Sequence, residues 1–322
     1  MNTIKRIAFV IGLSLLILQA SMAAGQEISI ATSNPGTITY TSCTAIAKVA
    51  NEKAGLRATV QPFASSTVFL PAVNGASPQF GFASVADLLY AYEGLDYFAG
   101  RKYRDLRAVA VTYPLRNAIY VRKSSKIAKV GDLKGLRMPD GYNSQKIIPS
   151  ILDAVYATGG LTRADMKSVM VPNVSAGADA FISGKADGFM MSLGSAKVRE
   201  ADAAVGGVRI LALDLTPQNS AILAKKVPGL YLRPERPGPD NPGVLGPSYS
   251  IAYDMLVVAG AGVSDDVVYR LTKALYENKA DLISSLPSFE MFDPKEMAKP
   301  MPVPYHPGAI KFYKEKGIWP GK

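Results

Sequence analysis

Cysteine and histidine are nearly absent from this 322-residue chain, which contains one of each, Cys43 and His306. A single cysteine excludes an intrachain disulfide bond, and two such residues are too few for a Cys/His zinc cluster. Cys43 falls on the apolar face of a predicted helix, which is typical of a small core residue rather than a nucleophile. His306 lies in the turn-rich segment Pro304–Gly308, which favours a structural role. The sequence therefore predicts neither a metal site nor a cofactor.

The usual enzyme signatures are also missing. The chain has no Gly-x-Ser-x-Gly nucleophile elbow and no Gly-x-x-x-x-Gly-Lys-Ser/Thr phosphate loop. Few carboxylates fall near the ends of predicted strands, so candidates for acid–base catalysis are scarce. We therefore expect a protein that is not an enzyme. A secreted enzyme built on a binding-protein fold is the alternative.

Acidic residues are outnumbered, because 26 Asp and Glu stand against 36 Lys and Arg, which gives a formal charge of +10. Nucleic-acid-binding proteins concentrate basic residues on one element, with aromatic residues between them. Here the basic residues are spread along the chain in short groups such as Arg122-Lys123 and Lys225-Lys226. This pattern is typical of a solvated surface with a mild attraction for anionic ligands, and it predicts no nucleic-acid partner.

The first 23 residues have the features of a secretory signal peptide. A Lys-Arg pair precedes an uncharged, mainly apolar run from Ile7 to Leu18, and small residues follow up to Ser21-x-Ala23. The run is too short for a stable membrane span, so we predict cleavage after Ala23, with an uncleaved anchor as the alternative. A lone cysteine does not suit a disulfide-rich secreted scaffold, which favours a bacterial periplasm as the destination.

Short strand patterns alternate with helical patterns, which indicates βαβ units and a mainly parallel sheet. The alternation restarts at Ala118 and returns to a strand at Ser250, after a long irregular stretch. We therefore predict an α/β protein with two lobes joined by two crossing segments. Lobe one comprises residues 25–114 plus 252–322, and lobe two comprises residues 115–251.

The irregular stretch lies between Pro228 and Pro247 and contains six prolines and four glycines, so it predicts an extended excursion without regular structure. A disordered linker is one interpretation. We instead expect an ordered segment that packs on lobe two, because Leu230, Tyr231 and Leu245 lie within it.

Two segments share one pattern, in which the end of an apolar helix is followed by glycine, a polar turn, an apolar strand and serine. They run from Val73 to Ser84 and from Ile182 to Ser192. The likeness indicates two similar lobes. Glycine is, however, a common helix C-cap, so many helix-to-strand connections share the pattern.

Four loops rich in hydroxyl and amide groups precede predicted helices: Ser33–Thr37, Ser65–Thr67, Asp140–Ser144 and Ser175–Gly177. Ligands of open α/β sheets bind at the carboxyl ends of strands, and free N–H groups at helix starts attract carboxylate or phosphate. Each loop taken singly is explained by an N-cap. Together they predict a cleft that binds an organic anion mainly through neutral groups.

Several stretches resemble the TAXI solute-binding proteins, the receptors of one branch of TRAP transporters: the opening Ile28–Thr32, the strands Leu56–Pro62 and Phe80–Ala83, and the terminus Pro304–Gly317. The resemblance implies a type II periplasmic-binding-protein fold, in which two lobes close on a ligand. It also implies a separate membrane permease, usually driven by an ion gradient, and ligands such as glutamate and 2-oxoacids. An ABC-type receptor of the same fold, which feeds an ATP-driven importer, is the alternative.

The resemblance also implies a set of ligand-binding positions. These are Ser33, Asn34, Thr37, Tyr40, Ser66, Thr67, Ser84, Val85, Tyr113, Asn143, Ser144 and Ser192. The family's first loop is glycine-rich and this one is not, so the identity of the ligand does not carry over. Arg116 is the one charged candidate for pairing with a ligand carboxylate, with a surface arginine at the hinge as the alternative.

Overall fold

The structure is a computed structural model that describes residues 25–319, so the predicted signal peptide of residues 1–23 lies outside the described residues. Within that range the chain forms ten strands: β1 (Gln26–Thr32), β2 (Leu56–Pro62), β3 (Phe80–Ser84), β4 (Leu106–Arg122), β5 (Arg137–Gly141), β6 (Lys167–Val171), β7 (Gly188–Ser192), β8 (Val208–Ile210), β9 (Tyr231–Glu235) and β10 (Ser248–Gly260).

The same residues, 25–319, form ten α-helices: α1 (Ile38–Lys53), α2 (Ser66–Asn74), α3 (Val85–Glu93), α4 (Ile147–Thr158), α5 (Val174–Ile182), α6 (Ala196–Val205), α7 (Pro217–Lys226), α8 (Asp265–Glu277), α9 (Lys279–Ser285) and α10 (Pro307–Lys316). Short 3-10 turns lie at Asp96–Phe98, Val130–Leu133, Arg163–Asp165, Pro287–Met291 and Pro294–Glu296. No helix in this part of the chain has the length and apolar character needed to cross a membrane.

Two long strands pair with most of the other strands of the sheet. They are β4, with 17 residues, and β10, with 13, and we call them the crossing strands. They pair with each other in antiparallel register. The C-terminal half of β10 also pairs with β3, which continues through β1 to β2. The N-terminal half of β10 pairs with β9, and the C-terminal half of β4 pairs with β7 and β8. The crossing strands therefore pair with two groups of strands: the first group is β1, β2 and β3, and the second group is β7, β8 and β9.

The sheet is not mainly parallel, so that prediction is wrong. Only the pairs β1–β2, β1–β3 and β5–β6 are parallel in the described part of the chain. Every pairing of a crossing strand is antiparallel, because the chain leaves the first group of strands along β4 and comes back along β10. Alternating strand and helix patterns indicate βα units but do not give the direction of the strands that join them.

The pairing changes partners near the predicted lobe boundaries. On β10, pairing with β9 runs from Ser248 to Ala252, and pairing with β3 begins at Met255. On β4, pairing with β7 begins at Asn117. One hydrogen-bonded sheet nevertheless continues through both crossing strands, so the division at residues 114 and 252 stays a prediction.

Helix α1 shows how the sequence sets a local element. Thr37 caps its N-terminus by accepting a hydrogen bond from the backbone N–H of Tyr40 at 3.2 Å. Cys43, Ile46 and Ala50 are fully buried on its inner face. Burial raises the pKa of the Cys43 thiol to about 12, which suppresses the reactive thiolate. Cys43 is therefore a core residue, as predicted.

His306 anchors the last helix to the sheet. It is fully buried, and its Nδ1 accepts a hydrogen bond from the backbone N–H of Gly308 at 3.2 Å at the start of α10. Its own backbone N–H donates to the carbonyl of Ala108 on β4 at 2.8 Å. Burial lowers its pKa, so the ring is held neutral and the predicted structural role is confirmed.

The proline-rich stretch contains a strand, β9, which the sequence did not predict. Leu230 and Val244 are buried in the core, as expected for a packed segment. Tyr231 is 37% exposed and Leu245 is 58% exposed, so these two were wrong as packing residues. The stretch is held by the pairing of β9 with β10 and by the hydrogen bond that Glu235 accepts from Ser250. Burial of Tyr231 and Leu245 does not contribute to holding it.

A buried ion pair ties this stretch to both crossing strands. Arg116 on β4 donates from Nη1 to Glu235 Oε2 at 2.8 Å and to Asn241 Oδ1 at 3.1 Å, and Ser250 on β10 donates to Glu235 Oε1 at 2.7 Å. The side chains of Arg116 and Glu235 are 11% and 2% exposed. Both charges are largely removed from water, so each depends on the other for compensation.

Replacing Glu235 with glutamine should therefore destabilise the fold. Glu235→Gln leaves Arg116 buried without a counter-charge and is expected to lower the free energy of unfolding by about 3–5 kcal/mol. The double variant Arg116→Met, Glu235→Leu should recover much of that loss, because no charge then remains buried. Urea unfolding followed by circular dichroism measures both. A Glu235→Gln protein as stable as the wild type would show that the pair is not needed.

Candidate ligand-binding site

A small cavity of about 50 Å³ lies where β3, β4, β7 and β10 come together. Five of the predicted binding residues line it: Ser33, Thr37, Ser66, Ser84 and Ser192. They come from the loop after β1, the start of α2 and the ends of β3 and β7. Loops that lie far apart in the sequence therefore meet at the carboxyl ends of strands, where ligands bind in α/β sheets.

Sequence reasoning missed five further polar residues that line the same cavity. These are Thr39, Asp87, Asn117, Gln145 and Tyr253. A signal was present for Asp87, because Ser84-x-x-Asp87 has the spacing of a capping box at a helix start. Asn117 and Tyr253 lie inside long strands, where no loop or turn signal marks them.

The first loop presents hydroxyl groups in a fixed arrangement. The Thr37 hydroxyl donates to the carbonyl of Asn34 at 2.7 Å and lies 3.0 Å from the Thr39 hydroxyl. The turn between Asn34 and Thr37 is closed by a backbone hydrogen bond of 3.4 Å. These contacts hold Thr37 and Thr39 at the cavity wall, next to the N-terminus of α1.

The N-terminus of α2 is less satisfied than that of α1. Its N-cap, Ser65, makes no side-chain capping hydrogen bond. The Ser65 and Thr67 hydroxyls are buried and have no hydrogen-bond partner. Ser66, which lies between them, lines the cavity. Ser65 and Thr67 lie outside the lining, so the cavity meets this helix start at Ser66, where free backbone N–H groups suit an acceptor such as a carboxylate.

The opposite wall is made of amide groups and one hydroxyl. Asn117 on β4 and Ser192 on β7 are paired residues of neighbouring strands, and the Ser192 hydroxyl donates to Asn117 Oδ1 at 2.8 Å. Gln145 Oε1 accepts from the backbone N–H of Val174 at 3.1 Å, which links the cavity to the start of α5. This wall can donate and accept hydrogen bonds without carrying a charge.

Asp87 is the one carboxylate among the lining residues. It is 4% exposed and accepts hydrogen bonds from the Ser84 hydroxyl at 2.7 Å and from the Tyr97 hydroxyl. Burial raises its pKa, against the opposing effect of the hydroxyls of Tyr97, Ser84 and Ser66. Burial, reinforced by the charges of Asp87 and other neighbours, also raises the pKa of Tyr97. The lining contains no lysine, arginine or histidine, so no basic side chain balances Asp87 there.

The remaining predicted residues do not line the cavity. They are Asn34, Tyr40, Thr67, Val85, Tyr113, Arg116, Asn143 and Ser144. The Tyr113 hydroxyl is bonded to Ser42, and its buried ring packs against Phe289. Asn143 is exposed and contacts Ser144, while the next residue, Gln145, reaches the cavity.

Arg116 lines a different groove, of about 430 Å³, together with Arg199, Asp240 and Glu290. Its guanidinium is taken by Glu235 and Asn241, as described above. Arg199 likewise reaches Asp240 at 3.4 Å. This groove is larger than the hydroxyl-lined cavity, but its strongest donors are already paired within the protein. The smaller cavity brings together five of the predicted binding residues and the start of α2, so it is the better candidate for ligand recognition. No cluster of three metal-ligating side chains is found among residues 25–319.

The Asp87 carboxyl should give the folded protein a measurable pH dependence. Because burial raises its folded-state pKa, the folded protein keeps this proton to a higher pH than the unfolded chain does. The resulting stability is fully present below the unfolded pKa of about 3.9 and is lost as the pH rises through the folded pKa. The free energy of unfolding of wild type relative to Asp87→Asn should therefore decrease as the pH rises above about 4.

Asp132 provides the control of opposite sign. Backbone N–H groups of Ala128 and Lys129 lower its pKa, so its contribution is complete once the pH exceeds the unfolded value. Urea unfolding from about pH 5 to pH 8 should give a constant difference between wild type and Asp132→Asn, because the unfolded aspartate is then ionised. The same constant difference for Asp87→Asn would contradict a raised pKa at Asp87.

The fold resembles solved structures of binding proteins at low sequence identity. One, described as a periplasmic transporter, has a TM-score of 0.58 and 15% identity, over 91% of this chain and 94% of that chain. MatC from Rhodopseudomonas palustris with bound malate has a TM-score of 0.57 and 14% identity, over 82% and 88%. The binding protein component of an ABC phosphonate transporter from Pseudomonas aeruginosa has 0.51 and 10%, over 83% and 80%. The predicted α/β periplasmic-binding-protein fold is confirmed.

A family match covers almost all of the described chain. The NMT1-like family matches residues 30–317 of the 322. The match begins inside β1 and ends at Gly317, directly after α10, so it includes both crossing strands and all the residues that line the cavity. The chain therefore belongs to the NMT1-like family.

Proposed function

We propose that the protein is a periplasmic receptor that captures a small organic anion or amino acid and delivers it to a TRAP-type membrane permease. The observation that carries this proposal is the polar cavity at the crossing strands. Ser84 and Ser192 end equivalent strands on its two sides, and Asn117 and Ser66 add an amide and a helix start. Such a cavity can hold a small ligand between two parts of the chain.

Binding without chemistry is the better account of this cavity. Its titratable groups are Asp87 and Tyr253, and burial raises the pKa of both. The Ser84 hydroxyl lies 2.7 Å from the Asp87 carboxyl, but it also accepts from the backbone N–H of Asp87 as the N-cap of α3, which accounts for it as a structural group. The predicted signal peptide and the binding-protein fold support a periplasmic location. We therefore propose a receptor and not a secreted enzyme.

The choice of permease rests on the C-terminal segment. Pro304–Gly317 resembles the TAXI proteins, which favours a TRAP permease driven by an ion gradient. An ABC-type importer is the second candidate, and the likeness to the phosphonate-transporter component is a likeness of fold. The cavity itself does not separate the two, because both kinds of receptor close on a ligand in the same way.

A thermal-shift screen of small organic acids and amino acids tests the proposal. A ligand that binds only the folded protein adds about 2.7 kcal/mol of stability at 100 times its dissociation constant. We expect at least one compound of this class to raise the melting temperature in a concentration-dependent manner. Nucleotides and oligonucleotides serve as controls and should give no shift. A screen in which no organic acid or amino acid raises the melting temperature would count against the receptor.

Truncation of one amide in the cavity should weaken binding. Asn117→Ala removes a group on the cavity wall, and losing a hydrogen bond to a charged ligand costs about 1.5–3 kcal/mol, or roughly 10- to 100-fold in the dissociation constant. The matched control is Asn143→Ala, an equal truncation at an exposed position outside the lining. Isothermal titration calorimetry measures both. Equal affinities for the two variants would place the ligand elsewhere.

A further inference from the structure

Asp87 is an unusual group to find at the wall of an anion-binding cleft. It is 4% exposed, and no lysine, arginine or histidine lies within 4 Å of it in the part of the chain that the structure describes. The other deeply buried carboxylate, Glu235, is paired with Arg116. Asp87 and Glu235 are therefore buried to a similar degree, but only Glu235 has a cationic partner, and Asp87 lines the cavity.

The capping role of Asp87 does not account for its position. Its backbone N–H donates to the Ser84 hydroxyl at 3.0 Å, which satisfies the start of α3. Capping residues of this kind normally sit at the surface, where the carboxylate stays hydrated. Burial of a carboxylate is costly unless it is paired, and hydroxyl groups offset only part of that cost. The hydroxyls of Ser84, Tyr97 and Ser66 surround the carboxyl but carry no positive charge, so the charge of Asp87 is not compensated by a cation.

We propose that Asp87 holds the ammonium group of the ligand, so that the cleft selects α-amino acids over the corresponding hydroxy acids and oxo acids. This inference rests on the proposed receptor function and names its substrate class. An ammonium group supplies both the missing positive charge and up to three donors, and such charge-assisted hydrogen bonds are roughly twice as strong as neutral ones.

The neighbouring groups fit the other end of an α-amino acid. The Ser66 hydroxyl lies close enough to the Asp87 carboxyl to lower its pKa, so Asp87 is adjacent to the start of α2. Ser66, the first residue of α2, lines the cavity, and the free backbone N–H groups of a helix start suit a carboxylate. An α-amino acid carries its ammonium and carboxylate on one carbon. The acceptor and the donor poles of the cleft are therefore next to each other, as that ligand requires.

The ligand's side chain would extend toward the wall formed by Asn117, Gln145 and Ser192. These groups are neutral and can both donate and accept hydrogen bonds. They suit a short polar side chain and do not demand a particular charge. The selectivity at the α-amino group is therefore separable from the selectivity for the side chain.

Calorimetric titration with matched ligand pairs tests the inference. The probes are glutamate with 2-hydroxyglutarate, aspartate with malate, and alanine with lactate, because each pair differs only in the group that would meet Asp87. In every pair that binds, we expect the amino acid to bind at least 10-fold more tightly to the wild type. In Asp87→Asn that ratio should fall to near one, mainly through loss of amino-acid affinity.

Two control variants separate the charge of Asp87 from its structural role. Tyr97→Phe removes one hydroxyl from the carboxylate but keeps the charge, so the preference for amino acids should persist. Asp132→Asn removes an exposed capping carboxylate far from the lining and should leave the ratio unchanged. If Asp87→Asn does not fold, a wild-type ratio near one still overturns the proposal.

The outcomes distinguish this inference from the function on which it rests. A wild-type protein that binds the hydroxy acid of a pair as tightly as the amino acid would overturn the role of Asp87 and leave the receptor intact. A wild-type preference that survives in Asp87→Asn would assign the ammonium to another group. Failure of all the organic acids and amino acids to bind would overturn both the receptor and the inference.

Discussion

The antiparallel pairing of β4 with β10 is the constraint on which the rest of this molecule depends. The two strands form the floor that both groups of strands share, and each contributes residues to the cavity. Leu115 and Asn117 come from β4, and Tyr253 and Met255 come from β10. A shift in their register would move side chains to the opposite face of the sheet, because successive residues point to opposite sides. The cavity therefore exists only in one register of this pair.

The register changes where the cavity lies. Between Asp254 and Leu256 the pairing of β10 with β4 is irregular, and Pro114 stands opposite Asp254. A proline cannot donate to a strand ladder, so it is tolerated at such an irregularity and not in the middle of a regular pair. An irregularity also bends and twists the sheet locally. The irregularity lies beside Tyr253 and Met255, which both line the cavity.

Part of this arrangement was readable in the sequence, and the missed part has physical reasons. The repeated helix–glycine–strand–serine pattern ends at Ser84 and Ser192, and both line the cavity. The sequence pattern predicts a new start at Ala118, whereas the structure has one strand that runs from Leu106 through Pro114 to Arg122. For that reason Asn117 was not recognised as a strand residue that lines the cavity. Tertiary pairing with β10 continues the strand through Pro114.

Arg116 was the natural choice for a carboxylate ligand, because no other charged residue lay near the predicted crossover. Whether an arginine is free depends on partners that are distant in the sequence, and Glu235 is 119 positions away. This pairing could not be read from local patterns. Arg116 alternates along β4 with Leu115 and Asn117 and lines the other groove, and the described lining of the cavity has a single carboxylate, Asp87, and no cation.

The size of the cavity makes that unbalanced charge more significant. About 50 Å³ leaves room for only a few water molecules, whereas ligand pockets commonly measure about 300–1,000 Å³. Asp87, which is 4% exposed, is therefore poorly hydrated in this cavity. A closed cavity with little water strengthens every electrostatic interaction inside it, unfavourable ones included. A ligand that brings a positive charge to Asp87 and a negative charge to the start of α2 would be compensated at both ends of the cavity. A ligand with a negative charge alone would satisfy one end and leave Asp87 uncompensated, so charge balance favours a ligand that carries both charges.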